Sequence, residues 1–260
     1  MTATIFSLSR QYPCWDAILR SLDLPTIKAL RLAHRELAES CLTPFFLQHV
    51  ASQTVELIPD DGGKALAELC DHPLSTHVKT LKIITNVYDK SIIEKSIQTG
   101  RDWTISPYAG RLRCSRTLAP REIESLHKEV LWLRERHDAE MGIADEEIIG
   151  RLARTFRRLK SLRALSLDAR LCYGPGVYDS ADRTASWPLV RQGASRLFEL
   201  VIGAIGKSGV LIEELDAYWS RTGCAVSIDS LARSLQSVGQ DGGADPWDAM
   251  RGHWCHPFIE

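Results

Sequence analysis

The residues best placed to do chemistry fall into a few groups, and each meets a specific obstacle. Positions 203–208 read Gly-Ala-Ile-Gly-Lys-Ser, which ends like a phosphate-binding loop. The first glycine of that motif would fall at position 201, which is valine. The segment also closes an apolar helix-period run, whereas a phosphate loop joins a strand to the start of a helix. Lys207 near a helix C-terminus complements the helix dipole without any ligand. His253, Cys255 and His256 offer metal-binding atoms, but a structural zinc needs four ligands in a fixed cage and the other cysteines are isolated. Neither Gly-x-Ser-x-Gly nor His-Glu-x-x-His occurs, and no nucleophile has an assignable base. Glu146, Glu147, Glu213 and Glu214 read as solvated faces of helices or strands. The expectation is therefore a non-catalytic chain with no metal and no cofactor.

Recognition chemistry is better represented. Arg101, Arg111, Arg113 and Arg116 interleave with Trp103 and Tyr108, and Arg157, Arg158, Lys160 and Arg163 form a second basic run. Acidic neighbours balance both runs and the net charge is −1, so a nucleic-acid surface is not expected. Tyr173, Tyr178 and Trp187 fall in a Gly/Pro-rich stretch beside a strand candidate; aromatic residues on a loop held by a scaffold are recognition contacts. The densest feature is the apolar block at 13–50. Its first half carries Ile18, Leu19, Leu22, Leu24, Ile27, Leu30 and Leu32. That is more than a unit of this size buries against itself, and apolar surface left in water costs about 25 cal/mol per Å². The block must lean on the rest of the chain or on a partner.

Composition sets the frame for these residues. With 260 residues, 44% of them apolar and 25% charged, the chain has ordinary globular composition and room for a sizeable core. The seven cysteines are scattered, never spaced Cys-x-x-Cys, and no secretory apolar segment follows Met1. Free thiols in a reducing compartment are the simplest reading, so the expected location is cytoplasmic or nuclear. The apolar run at 197–205 contains Glu199 and is far too short to span a membrane.

The elements that position these groups follow from period and punctuation. Pro13 opens a helix bearing Trp15, Ile18, Leu19 and Leu22, and Asp23-Leu24-Pro25 interrupts it. Residues 26–32 form a second helix and 35–41 a third, closed by Thr43-Pro44. Residues 45–50 and 54–58, rich in aromatic and β-branched types, are expected as short strands. A helix from Lys64 to Asp71 leads through His72-Pro73 to a strand at 78–84, and 92–97 forms a helical turn. Residues 99–120 read as an insertion loop. Pro120 opens the most regular helix, with Ile123, Leu126, Val130 and Leu133 in phase and a Glu124–Lys128 pair. Asp145 is the expected N-cap of the next helix, followed by a strand at 162–167, a loop at 169–190, a helix through Leu197 to Ile205 capped by Gly209, and a strand at 211–218. Residues 228–235 suggest one more helix, and 236–260 a disordered tail.

Three stretches (64–84, 145–167 and 191–218) share one grammar, a helix followed by an alternating strand. Such units imply parallel strands with helical crossovers. No Gly-rich turn follows any of the strands, as a nucleotide-binding doubly wound fold requires. The expected fold class is α/β, with a small helical bundle at 1–50 followed at 51–235 by a short, irregular leucine-rich-repeat-like solenoid carrying helical insertions.

The stretch Leu22-Asp23-Leu24-Pro25-Thr26-Ile27-Lys28-Ala29-Leu30-Arg31-Leu32-Ala33-His34-Arg35-Glu36-Leu37-Ala38 resembles the second half of an F-box. The run from Phe46 to Val50, the His72-Pro73 junction and the irregular leucine-rich units behind it are similar to the continuation in fungal members of that family. The chain departs from the family's Leu-Pro-x-Glu start, since the corresponding positions are Arg10 and Gln11. The resemblance implies docking onto a Skp-type adaptor, and through it a cullin, in a ubiquitin ligase. Ile18, Leu19, Leu22, Leu24, Pro25, Ile27, Leu30 and Leu32 would make the partner contact, and the repeats would present a protein substrate, with Tyr173, Tyr178 and Trp187 as its contacts. The alternative is an interaction scaffold outside any ligase, in which the helical block only caps the solenoid. An enzyme would need a deep pocket with convergent polar groups.

Overall fold

The computed structural model describes residues 12–57, 62–105, 112–175, 177–180 and 187–217. The chain divides into two compact units, Met1–Gln53 and Thr54–Glu260.

The first unit is helical: α1 (Tyr12–Arg20), α2 (Leu24–Ala33), α3 (Arg35–Ser40) and α4 (Pro44–Ala51). The Leu-Asp-Leu-Pro break works as a start signal. The Asp23 carboxylate accepts the Thr26 N–H at 2.9 Å, and Pro25 sits in the first turn, where its missing N–H costs nothing. The hydrogen bond from Thr26 also holds the Asp23 carboxyl below its ordinary pKa. His34 Nδ1 caps α3 by accepting the Glu36 N–H at 3.2 Å. Trp15 Nε1 donates to the Ser40 carbonyl at 2.8 Å, tying α1 to α3, and the Arg31 guanidinium lies 4.5 Å from the Phe46 ring centre. Residues 45–50 are helical, not the expected strand. Thr43-Pro44 begins a helix here, with Thr43 Oγ1 accepting the Phe46 N–H at 3.4 Å. The helical phase places Phe45 against His49, edge to face at 5.1 Å.

The second unit is an α/β layer structure built on a parallel pair of strands, β2 (Thr80–Tyr88) and β5 (Ala164–Gly174). They run in one unbroken register from Thr80 beside Ala164 to Tyr88 beside Cys172. β1 (Ser52–Leu57) flanks β2. The far edge of β5 is shared: its first half pairs in parallel with β7 (Glu214–Ala217), and its second half pairs antiparallel with β6 (Val177–Ser180). Between these strands lie α5 (Gly62–Asp71), α6 (Ser91–Thr99), α7 (Pro120–Met141), α8 (Asp145–Arg158) and α9 (Trp187–Ser208).

Strand alternation divides the sheet into unlike faces. Leu81, Ile83 and Val87 of β2 join Leu165, Leu167, Ala169 and Leu171 of β5 in one buried cluster with Leu152 and Phe156 of α8 and Leu197, Phe198 and Val201 of α9. The other face is mixed: Ile84 and Cys172 are fully buried on it, and several of its cross-strand contacts are polar. Lys82 pairs with Asp168 at 2.7 Å, Arg170 with Glu56 at 2.5 Å, and Ser166 hydrogen-bonds to Asp216 at 3.4 Å. A smaller cluster of Ile93, Val130, Leu133 and Cys172 seats α7 at one end of the sheet.

Several expectations are corrected. The 169–190 stretch is no simple loop: β5 continues to Gly174, β6 follows, and α9 already starts at Trp187. The insertion at 99–120 contains a hairpin, β3 (Arg101–Ile105) against β4 (Leu112–Thr117), entered through Gly100 at a φ of 63°. Its long side chains hold it together: Lys95 Nζ lies 3.9 Å from the Trp103 ring, and Ser115 Oγ donates to Asp102 at 2.9 Å. Ala144, not Asp145, occupies the N-cap of α8; Asp145 is its first helical residue and is turned to Arg196. Gly209 does cap α9, with a φ of 67° and its N–H on the Ile205 carbonyl at 3.1 Å. Residues 228–235 and the 236–260 tail lie outside the described residues.

α9 approaches β2 so closely at Gly193 that a Cβ there would lie 2.7 Å from Val87 Cγ2, and valine is stiff. An exposed helix gains about 1 kcal/mol from Gly→Ala. Here Gly193→Ala is expected to destabilise by about 1–3 kcal/mol in urea unfolding. Adding Val87→Ala should recover part of the loss.

Candidate functional site

The residues singled out in the helical unit separate into two groups. Leu19 and Ile27 are fully buried, and so are engaged in packing. Ile18, Leu22, Leu24 and Leu30 are half-buried, and Pro25 is exposed. Leu32, in the last turn of α2, is 89% exposed, a high value for a leucine. Arg31, one position earlier, is half-buried, and its Nε has no hydrogen-bond partner among the described residues.

The aromatic candidates do not form a described cluster. Tyr173 is half-buried on β5 and packs against the main core, so it belongs to a strand and not to a recognition loop. Tyr178 lies on β6 and Trp187 begins α9, but their side chains lie outside the described ones. The basic runs are tied into ion pairs. Arg116 grips Glu122 with two hydrogen bonds at 2.9 and 2.6 Å, Arg158 pairs with Asp71, and Arg163 reaches Glu213 at 3.2 Å. Positions 203–208 are the last turns of α9, with Ile149 of α8 packed against Gly203, so no loop is present there to cradle a phosphate. His253, Cys255 and His256 lie outside the described residues.

The second unit holds a feature that sequence reasoning missed, a cavity of about 400 Å³ at the C-terminal end of β2. This is the end of a parallel strand where α/β folds characteristically bind ligands. Apolar walls come from Leu133 of α7, Ile148 and Leu152 of α8, and Leu197 and Leu200 of α9. The polar groups converge from five elements: Thr85 and Asn86 on β2, Glu94 on α6, Arg134 and Glu140 on α7, Arg151 on α8 and Arg196 on α9. The Gly193 approach of α9 to β2 forms part of the same wall.

Glu140 is the unusual group. It stands one residue before the end of α7, with Thr85 hydrogen-bonded to its carboxyl and Arg196 Nη1 at 3.9 Å. Arg196 is only partly available to it, because Nη2 lies 2.8 Å from Asp145 and Nη1 lies 3.2 Å from Met141 Sδ. Burial pushes the Glu140 carboxyl up to about 7 against the opposing pull of Arg196, His137 and Thr85. The only sequence signal was a break in phase: Glu140 lies ten residues beyond Val130, where the regular apolar repeat has ended.

Compared with family models, with curated proteins and with solved structures, the chain finds no match. No described helix is long and apolar enough to cross a membrane. What the coordinates define is an α/β protein with a parallel sheet and a separate helical unit.

The Glu140 carboxyl gives a pH dependence of known sign. Its pKa is raised from 4.5 to about 7 on folding, so the native state holds a proton that the unfolded chain has released. Stability is lost as pH rises from 4.5 to about 7. Glu140→Gln removes this loss and should gain on the wild type across that window, by roughly 3 kcal/mol at most. Urea unfolding at pH 5 and pH 7.5 reads the difference.

Proposed function

We propose that the chain is a non-catalytic substrate-recognition adaptor of a Skp–cullin–F-box ubiquitin ligase. The helical unit docks the Skp-type adaptor, and the second unit holds a protein substrate. The observation that carries this reading is the surface of the first unit. A self-contained bundle normally turns its leucines inward, yet here Leu32 is 89% exposed and Leu22, Leu24 and Leu30 are only half-buried. Burying a leucine on a partner contributes about 1.5–3 kcal/mol, so four such side chains can outweigh much of the cost of association. Leu19 and Ile27 support the contact from within the bundle.

Support for a leucine-rich-repeat-like second unit comes from its sheet. β2, β5 and β7 are parallel neighbours in chain order, α8 and α9 share one core with that sheet, and the opposite face is lined by Lys82, Asp168, Arg170 and Glu56. The charged part of this face, beside the buried Ile84, suits recognition of a polar protein surface.

The test is co-purification of the intact chain with a Skp-type adaptor. The wild type is expected to capture it. Leu32→Asp should weaken capture at least about tenfold, the equivalent of 1.4 kcal/mol, without shifting the thermal midpoint, because Leu32 makes little contact inside the fold. A wild-type chain that captures no adaptor leaves the scaffold function in place of the ligase one.

A further inference from the structure

The cavity at the end of β2 is lined by residues of the second unit alone, and its polar groups are unevenly committed. Each cation on its wall already has a carboxylate. Arg134 lies 2.8 Å from Glu94, with Lys90 at 3.9 Å from the same group. Arg151 lies 2.5 Å from Glu147, Arg196 lies 2.8 Å from Asp145, and His137 is 3.3 Å from Asp138. Asp89 is buried and accepts from both the N–H and the hydroxyl of Ser91, at 2.9 and 2.6 Å. Glu140 is different. Its nearest cationic nitrogen, on Arg196, is at 3.9 Å, beyond hydrogen-bond reach, although an ionised carboxylate accepts about four hydrogen bonds. Asn86, on the same lining and only 5% exposed, has a side-chain oxygen with no partner among the described residues. Such a buried orphan costs about 1–3 kcal/mol.

The spare capacity of the site is therefore for donors. We propose that this cavity binds an alkylammonium group, with its hydrocarbon body against Leu133, Ile148, Leu152 and Leu197 and its N–H donors on the Glu140 carboxylate. An anionic ligand does not fit. It would bring like charge beside Glu140, and it would have to take an arginine from a carboxylate that already holds it at 2.5–2.8 Å. A neutral apolar ligand fills the volume but leaves Glu140 and Asn86 as they were. The walls come from several elements of one unit, and the cavity of about 400 Å³ lies within the range of small-molecule pockets. The ammonium can belong to a free amine or to a lysine side chain of a peptide.

Binding needs the ionised carboxylate, so affinity is coupled to the Glu140 proton. With that proton leaving at about 7, the competent fraction rises about tenfold from pH 6 to pH 8, and affinity follows it. Phenethylamine keeps its charge across this range. His137, with Asp138 beside it, also faces the site from α7, so Glu140→Gln is the control that isolates the carboxylate.

Isothermal titration of the intact chain tests the proposal with four probes: phenethylamine, 2-phenylethanol, 3-phenylpropanoate and Nα-acetyl-lysine methylamide. Phenethylamine is expected to bind at pH 8, about tenfold weaker at pH 6. Glu140→Gln should lose at least about tenfold, as a charge-assisted hydrogen bond implies, and lose the pH slope. Ile148→Phe, which fills the cavity from its half-buried wall, should reduce binding whether or not the head group is recognised. Equal or tighter binding of the lysine derivative, with the same Glu140 dependence, supports the same chemistry and assigns it to a peptide source. The proposal is overturned if no amine binds, if the alcohol binds as well as phenethylamine, if the propanoate binds more tightly, or if Glu140→Gln keeps full affinity. None of these outcomes depends on whether the chain docks an adaptor.

Discussion

The second unit depends on one constraint, the unbroken parallel register of β2 and β5. Parallel strands cannot be joined by a tight turn, so the chain between them must make a crossover long enough to return to the starting edge. In this protein that crossover spans α6, the β3–β4 hairpin, α7 and α8. Once the register is set, strand alternation sends Leu81, Ile83 and Val87 to the same side as Leu165, Leu167 and Leu171. A one-residue slip would exchange that set for Lys82, Asp168 and Arg170 and bury charges against α8 and α9. The ion pairs on the opposite face have their own share in this: Lys82 meets Asp168 and Arg170 meets Glu56 only in the observed pairing. They are about two-fifths exposed or less, so their direct contribution to stability is small, and their effect is on which register is chosen.

The same crossover creates the cavity. α7 is 22 residues long, and its two halves do different things. The first half packs Leu126, Val130 and Leu133 on Ile93 and Cys172. The second half carries Glu140 to Thr85 of β2 and to Arg196 of α9. The space beside it is closed by residues of α6, α8 and α9. Burying a carboxylate there with only a 3.9 Å cation costs free energy. The raised pKa of Glu140 is the form that cost takes.

In the helical unit, capping chemistry decides the outcome. Asp23, His34 and Thr43 each accept a backbone N–H at the start of a helix, and Pro25 and Pro44 stand in first turns. Three starts within about twenty residues divide one apolar sequence into short helices. Short helices cannot each turn a full apolar face inward, so Leu32 is left on the surface while Ile27, on the same helix, is fully buried. The same three caps that build the bundle leave Leu32 exposed.

Much of this was legible along the chain wherever the determinant is local. The helix at 120 announces itself by its apolar period and Pro120, Gly209 caps α9 because a left-handed residue is needed there, and the three helix–strand units read correctly as parallel strands. Thr43-Pro44 shows the limit of local reading. The dipeptide ends one helix and begins another, and the aromatic run behind it satisfies a strand pattern as well as a helical one. The 169–174 stretch failed for a related reason: Arg170 and Tyr173 look like loop residues until Leu171 and Cys172 find cover on opposite faces of one strand. The cavity was not legible at all. Glu140, Thr85 and Arg196 are separated by some 55 residues on either side of Glu140, and nothing local marks them as neighbours. The sequence by itself determined the elements, their caps and which face of each is apolar, because those are set within a few residues by hydrogen bonding and period. Only the tertiary structure decided which carboxyl would be buried without a close cation, because that depends on how α7, β2 and α9, far apart along the chain, come together around Glu140.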